Sequence, residues 1–412
     1  MEFMKKHFRN STSVNKPGIK QFEHFANSIL HQNYVFKKKA EGCIAIIQKI
    51  IYKIVETPGP GIPDAKVSPK YKESLSRFDL SNLEIGEVLG TGGFCEVREM
   101  IAINYIVAKN ENIDGSIEIS REALQNNSKH DQLVIKQIKP DLPEADRPFC
   151  VADLLREAHH LQTLSHQHII CMRGMGHASE EEDIQFFLIL DRIYCTLDEQ
   201  VDKWEQQSRP INSPMSAIYY SKSAKNAIKF LFADRLYATR SICSALKYIH
   251  GKKIIFRDLK PQNIGFDARG EIKIFDFGLA KELDPNVKIG DNYKMTGMTG
   301  TMRYMAPEVF KQEPYNLSAD VYSFGVVSWY IFALRVPFAH YSASMYRRNV
   351  VDGFFRPKVN STWGAKVCNL ITSCWNPDPS SRPTFVEICY ILTEHKACEK
   401  SPYSRSKRSM YL

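Results

Sequence analysis

Ile254-Ile255-Phe256-Arg257-Asp258-Leu259-Lys260-Pro261-Gln262-Asn263 decides the fold, read together with Ile272-Lys273-Ile274-Phe275-Asp276-Phe277-Gly278 just after it. Asp258 and Asn263 stand five apart on a tight polar loop. A carboxylate there can orient a hydroxyl and accept its proton, while an amide carbonyl nearby suits a hard divalent cation. Lys260 adds positive charge beside them. Asp276 arrives at the end of a strand-like run as a second hard oxygen donor, followed by an aromatic and a hinge glycine. Such parts suit phosphoryl transfer, which needs positioning and charge neutralisation more than covalent help.

Upstream, Leu83 to Leu89 alternates and runs into Gly90-Thr91-Gly92-Gly93-Phe94, after which Cys95-Glu96-Val97-Arg98 resumes extended character. The pattern predicts strand, turn, strand. Glycines there let backbone N–H groups approach a polyphosphate, and they equally make a plain hairpin turn. Lys136 ends the apolar run Leu133-Val134-Ile135. It reads either as a snorkelling surface lysine or as one half of a pair with Glu157 on the next helix. That helix is expected over Val151 to Leu164, and another strand over Phe186 to Leu190. Beyond it helical patterns dominate. The expected class is α+β, with a small strand-rich lobe carrying one key helix and a larger helical lobe.

The 412 residues carry a net charge of +9, yet residues 1–79 hold +7, residues 395–412 hold +4 and residues 80–394 hold −2. The body is nearly neutral, which argues against specific nucleic-acid binding. Ten cysteines lack any C-x-x-C pair and no apolar leader follows the start. Reduced thiols and a cytoplasmic setting are expected, with the nucleus as the alternative. Val321 to Leu334 is too short to span a bilayer and reads as a buried core helix. The expected organisation is a basic extension over 1–79, a domain over 80–394 with surface insertions near 108–131 and 203–230, and a basic tail over 395–412. Within the extension, Ile44, Ile47, Ile51, Ile54 and Val55 suggest an amphipathic helix. It either packs on the body or touches a membrane surface through residues 43–55. A Pro/Gly linker follows at residues 57–63. His159, His160, His166 and His168 read as a helix end and turn rather than a metal site.

The whole set resembles the eukaryotic protein kinases, serine/threonine type, leaning to the tyrosine-kinase-like group. Gly90 and Gly92 match the first two glycines of the family's nucleotide loop, Lys136 its strand lysine and Glu157 the partner of that lysine. Asp258 matches the catalytic base, Asn263 and Asp276 the Mg²⁺ ligands, and Ala306-Pro307-Glu308 the end of the activation segment. Arg382 matches the late arginine that pairs with Glu308. The resemblance implies ATP and Mg²⁺ as cofactors and protein Ser/Thr hydroxyls as substrates. It implies an ATP pocket from Leu89, Gly90, Thr91, Gly92, Gly93, Phe94, Cys95, Val97, Val134, Lys136, Leu190, Asp191 and Ile193, with hinge hydrogen bonds from residues 191–193. Lys260 after the base and the segment before Ala306 point to serine and threonine rather than tyrosine. Thr296, Thr299 or Tyr293, once phosphorylated, would pair with Arg257.

Four positions depart from the pattern, one of them Val134, which replaces the family's usual alanine beneath the adenine. Phe256 replaces a histidine, Cys95 a third glycine, and Gly265 a leucine, the last implying a pocket taller below. The alternative reading is therefore a kinase-shaped scaffold that binds nucleotide without turnover. Cys95 is either a reactive thiol or an inert loop cysteine.

Overall fold

The computed structural model describes residues 76–103, 132–143, 146–176, 186–209, 222–284, 292–293, 295–297 and 299–393. The helix expected over 43–55, the linker, the whole 108–131 insertion and the C-terminal tail lie outside the described residues.

Six strands form the sheet of the small lobe: β1 (Ser76–Phe78), β2 (Leu83–Thr91), β3 (Cys95–Ile103), β4 (Leu133–Ile138), β5 (Met172–Gly176) and β6 (Phe187–Asp191), in the order β1-β5-β6-β4-β3-β2. Every pairing is antiparallel except β1 on β5. Strand alternation divides the apolar residues between two faces. Ile135 and Ile189 turn toward Phe78, Leu83, Leu133 and Phe187. Val134, Leu188 and Leu190 turn toward the helix α1 (Arg147–Thr163) and the main core. Because β1 belongs to this sheet and Phe78 to its core, the boundary placed at residue 80 is corrected to at least Ser76. A parallel edge strand of three residues leaves no periodic signal.

After β7 (Cys195–Thr196) the chain is mostly helical, with α2 (Leu197–Ser208) and the 30-residue α3 (Lys222–Gly251). The reading of 203–230 as a solvated surface insertion is corrected at its two ends, residues 210–221 lying outside the described residues. Residues 203–208 complete α2, anchored by buried Trp204, and residues 222–230 begin α3. The sequence looks polar there because α2 buries only the stripe Leu197, Val201 and Trp204, with Gln200.

Two short antiparallel sheets frame the cleft: β7 with β9 (Ile264–Phe266) and β10 (Ile272–Ile274), and β8 (Ile254–Ile255) with β11 (Lys281–Glu282). Then come α4 (Pro307–Phe310), α5 (Ser318–Ala333), α6 (Ala343–Tyr346), α7 (Ala365–Cys374) and α8 (Phe385–Thr393). Helix α5 is buried on nearly every side, as its uncharged run required, and Leu334 ends it in the left-handed region at φ 53°. Each fully buried aliphatic side chain there contributes about 1.5–3 kcal/mol. At the start of α8, Thr384 and Glu387 exchange hydrogen bonds, so two orphan N–H groups are satisfied. Among the described residues no helix is long and apolar enough to cross a membrane.

Candidate active site

Strand β4 presents Lys136 to the cleft, opposite Val97 on β3 and Leu188 on β6. Its Nζ lies 2.6 Å from Glu157 Oε2 and 2.9 Å from Asp276 Oδ1, joining the sheet, α1 and the loop after β10. Burial alone would push the ammonium down. The two carboxylates outweigh it, and Lys136 stays above the usual lysine range, charged at any physiological pH. Lys136 in turn holds the Asp276 carboxyl below its ordinary range, against burial. Glu157, 1% exposed, is pushed up by burial. Of the two lysine readings, the structure shows the pair.

Asp258, 7% exposed, is surrounded by donors. Its Oδ1 accepts from the Thr301 N–H at 2.9 Å and the Thr301 hydroxyl at 3.0 Å. Its Oδ2 accepts from Lys260 Nζ at 2.7 Å and Asn263 Nδ2 at 3.1 Å. That bond, with a second from Nδ2 to the Asp258 carbonyl, commits the Asn263 amide nitrogen to the loop and leaves its carbonyl oxygen as the donor for a cation. The Phe275 N–H donates to the Asn263 main-chain carbonyl at 3.0 Å, so the backbone just before Asp276 is bound to Asn263. An amide oxygen and an ionised carboxylate on adjoining segments are the hard donor set Mg²⁺ takes, and the residues fit that ion.

Arg257 and Asp276 both have positive φ, 70° and 68°. Such strain persists only where surroundings fix it. Here Asp320, at the start of α5, accepts from the N–H groups of Phe256 at 2.8 Å and Arg257 at 2.9 Å, and also contacts His250 Nε2 at 2.8 Å. Phe256 is fully buried, edge-on to Phe277 at 5.0 Å, so an aromatic fills the histidine's place by packing. Sequence reasoning missed what Asp320 and Thr301 touch. For Asp320 a signal existed: a carboxylate opening the most apolar helix must find donors.

Around the nucleotide loop, Gly92 N–H donates to the Cys95 carbonyl at 2.7 Å, and a Cβ at Gly90 or Gly93 would meet nothing. The backbone is thus open to a ligand, flanked by exposed Thr91, Leu89 and Phe94. Burial pushes the Cys95 thiol up to about 11, which favours the inert reading. Val134 and Leu190 are buried and paired across β4 and β6.

Two details refine the pocket. The Asp191 N–H donates to the Cys171 carbonyl at 3.1 Å and the Arg192 N–H to the Gln132 carbonyl at 2.9 Å. Those two hinge N–H groups serve the sheet, and Ile193 is left as the N–H donor of the hinge. The pocket is also not taller beneath Gly265. A Cβ there would lie 2.3 Å from Ile193 Cγ2, 2.9 Å from the Cys195 carbonyl oxygen and 3.2 Å from the Phe275 ring, so Ile193 fills the vacancy. Gly265→Ala is expected to lower stability by about 1–3 kcal/mol through overpacking. Ile193→Ala in the same chain should restore part of it, as read by urea denaturation.

Helix α1 is also fastened to the segment after Asp276. Arg156 donates to the Gly278 carbonyl, His160 Nε2 lies 3.2 Å from the Ala280 carbonyl oxygen, and His159 Nε2 lies 2.9 Å from Glu282 Oε1. Burial, then the neighbouring His159, pushes His160 down to about 4. Its unfolded value is about 6.5, so the unfolded chain binds the extra proton between those two values. Stability is therefore full above pH 6.5 and lost as pH falls toward 4, by about 3 kcal/mol from this group. His160→Gln should show that much less acid destabilisation in urea melts at pH 7 and pH 4.5.

Arg257 Nε donates to the Leu279 carbonyl at 2.6 Å, and its Nη1 donates to the Thr296 hydroxyl at 3.1 Å. Thr299 Oγ1 donates to the Thr296 carbonyl at 2.9 Å. Tyr293 stands apart, its N–H on the Tyr315 carbonyl. Farther on, Arg382 and Glu308 form a buried bidentate pair at 2.6 and 2.9 Å.

A family model described as "Protein kinase domain" matches residues 115–392. Serine/threonine-protein kinase STY17 of Arabidopsis thaliana is 33% identical over 166 residues, 40% of this chain and 28% of that protein. Serine/threonine-protein kinase STY46 of the same plant is 36% identical over 153 residues, 37% of this chain and 26% of that protein. cAMP-dependent protein kinase type 3 of Saccharomyces cerevisiae is 29% identical over 294 residues, 70% of this chain and 59% of that protein. The chain spans less than a third of the length of the two plant relatives.

Proposed function

The chain belongs to the protein kinase family, and we propose from that premise that it is an active serine/threonine kinase, transferring the γ-phosphoryl group of ATP to protein hydroxyls with Mg²⁺. One observation carries the reading. Lys136, Glu157 and Asp276 are joined by contacts of 2.6 and 2.9 Å while the Asp258 carboxylate stays oriented by Thr301, Lys260 and Asn263. A scaffold that only holds nucleotide needs no oriented base.

Asn263 and Asp276 would hold Mg²⁺, which when bound neutralises phosphate charge. Lys136 binds the phosphates nearer the sugar. Asp258 orients the substrate hydroxyl and accepts its proton at a carboxylate oxygen, and Lys260 offsets charge on the moving phosphoryl group. Val97, Val134 and the floor made by Ile193 and Phe275 would hold the adenine. The sequence leans to the tyrosine-kinase-like group, and a cytoplasmic or nuclear setting suits the chemistry.

Incubation of the purified chain with γ-labelled ATP, Mg²⁺ and a generic basic protein, followed by phosphoamino-acid analysis, tests this. Phosphoserine or phosphothreonine is expected; nucleotide binding without any label would establish the scaffold instead. Thr296 is the favoured regulatory phosphosite because its hydroxyl already meets Arg257, with Thr299 second. Alanine at both is expected to lower the activity of phosphorylated enzyme at least tenfold. Unchanged activity would remove that role.

A further inference from the structure

We propose that Cys243 on α3 and Cys389 on α8 are the partners of a reversible disulfide, formed by a peroxide, that staples the two helices together. Their sulfurs lie 2.7 Å apart, well inside ordinary non-bonded contact and a fraction of an ångström from the roughly 2.05 Å of an S–S bond. The two helices are already fixed against each other. Cys243 Sγ lies 3.7 Å from the Phe385 carbonyl oxygen, and His250 of α3 meets the Phe385 ring edge-on at 4.8 Å. Little backbone movement is therefore needed to close the bond.

The two thiols are unequal in a useful way. Cys243 is fully buried, whereas Cys389 is half-buried on a face of α8 that leaves Val386 61% and Tyr390 67% exposed. Of the two, Cys389 is the one open to a small hydroperoxide. The hydrogen bond with Cys243 lowers the Cys389 thiol, burial opposes that, and Lys247 and Arg240 add to the lowering. Burial raises Cys95 to about 11 and Cys150 to about 12, so those two are poor nucleophiles.

The Cys389 thiolate attacks the peroxide O–O bond, which breaks to release an alcohol or water and leaves a sulfenic acid. Cys243 sulfur then attacks the Cys389 sulfur. The S–S bond forms, the S–O bond breaks, and the hydroxide departs as water with the Cys243 proton. Two electrons pass from the thiol pair to one peroxide, and a thiol reductant reverses the step. The staple closes a loop of 146 residues, so it restricts the unfolded chain strongly. It also bears on the cleft, since His250 beside it is the residue that contacts Asp320, which grips the Phe256 and Arg257 amides.

Treating the full chain with substoichiometric hydrogen peroxide, alkylating, and mapping peptides without reductant tests this. The expected product is a Cys243–Cys389 peptide pair lighter by two hydrogens, lost on adding dithiothreitol and absent in Cys389→Ser. The oxidised wild type should melt roughly 5–10 °C above the reduced form, a gain Cys389→Ser does not show. Cys243→Ala, lacking the resolving thiol, should accumulate a Cys389 sulfenic acid trapped by dimedone. The proposal falls if Cys389 ends as a sulfinic acid in the wild type, or if the link appears only in urea.

Discussion

Asp258→Asn should lower phosphoryl transfer by roughly 10²–10⁴-fold, the usual contribution of a positioned base, while the protein stays folded. The reason lies in what surrounds the side chain. Asn keeps an oxygen to accept from Thr301, so the segment before Ala306 remains docked. The amide nitrogen replacing the other oxygen meets Lys260 and Asn263, both donors, and Lys260 must swing away. Both charge-assisted hydrogen bonds to that oxygen are lost, each worth about 1.5–3 kcal/mol, while Asn263 keeps its bond to the residue 258 main-chain carbonyl. ATP affinity should be nearly unchanged, because Lys136, Glu157 and Asp276 do not touch the substituted atoms. A variant that labels substrate as fast as the wild type would mean that Asp258 handles no proton, and the scaffold reading would take over. The comparison needs initial rates, a melting curve and nucleotide affinity on the same preparation, since an unfolded variant also gives no label.

Legibility in the sequence was uneven for a physical reason. Lys136, Glu157, Asp258, Asn263 and Asp276 are legible because their chemistry constrains residue type and short-range spacing together. Helix α5 was equally plain, since an uncharged run of that length has few other uses. What escaped depends on contacts between distant segments. Asp320 grips two amides more than sixty residues before it, and no local pattern encodes that. Ile193, just before β7, and Gly265 in β9 compensate each other, so reading Gly265 alone gave a vacancy where the fold has a side chain. The polar face of α2 resembled a solvated loop because a helix that buries one narrow stripe is polar everywhere else, and residues 226–230 at the start of α3 are mostly exposed. β1 is too short to show a period at all.

Arg382→Met is expected to cost the fold about 3–5 kcal/mol, the usual penalty for orphaning one member of a buried ion pair. The Arg382 side chain has no exposure and that of Glu308 only 7%, so water cannot rescue the carboxylate left behind. The guanidinium also donates to the Asn376 and Ser318 carbonyls at 2.9 and 3.1 Å and lies 5.2 Å over the Tyr322 ring. Methionine fills the volume but satisfies none of these acceptors. Arg382→Lys should recover little, because one ammonium cannot reproduce a bidentate grip and two carbonyl contacts. The informative comparison is Arg382→Met with Glu308→Gln, which removes the buried charge along with its partner. If desolvation of Glu308 dominates, the double variant should regain a substantial part of the loss in urea denaturation. If the carbonyl contacts dominate, it should be as unstable as the single variant. A single-variant loss under about 1 kcal/mol would place this pair among the weak surface-type bridges. It would also mean that something other than Glu308 and Arg382 holds the end of the Thr301 to Glu308 segment against α5.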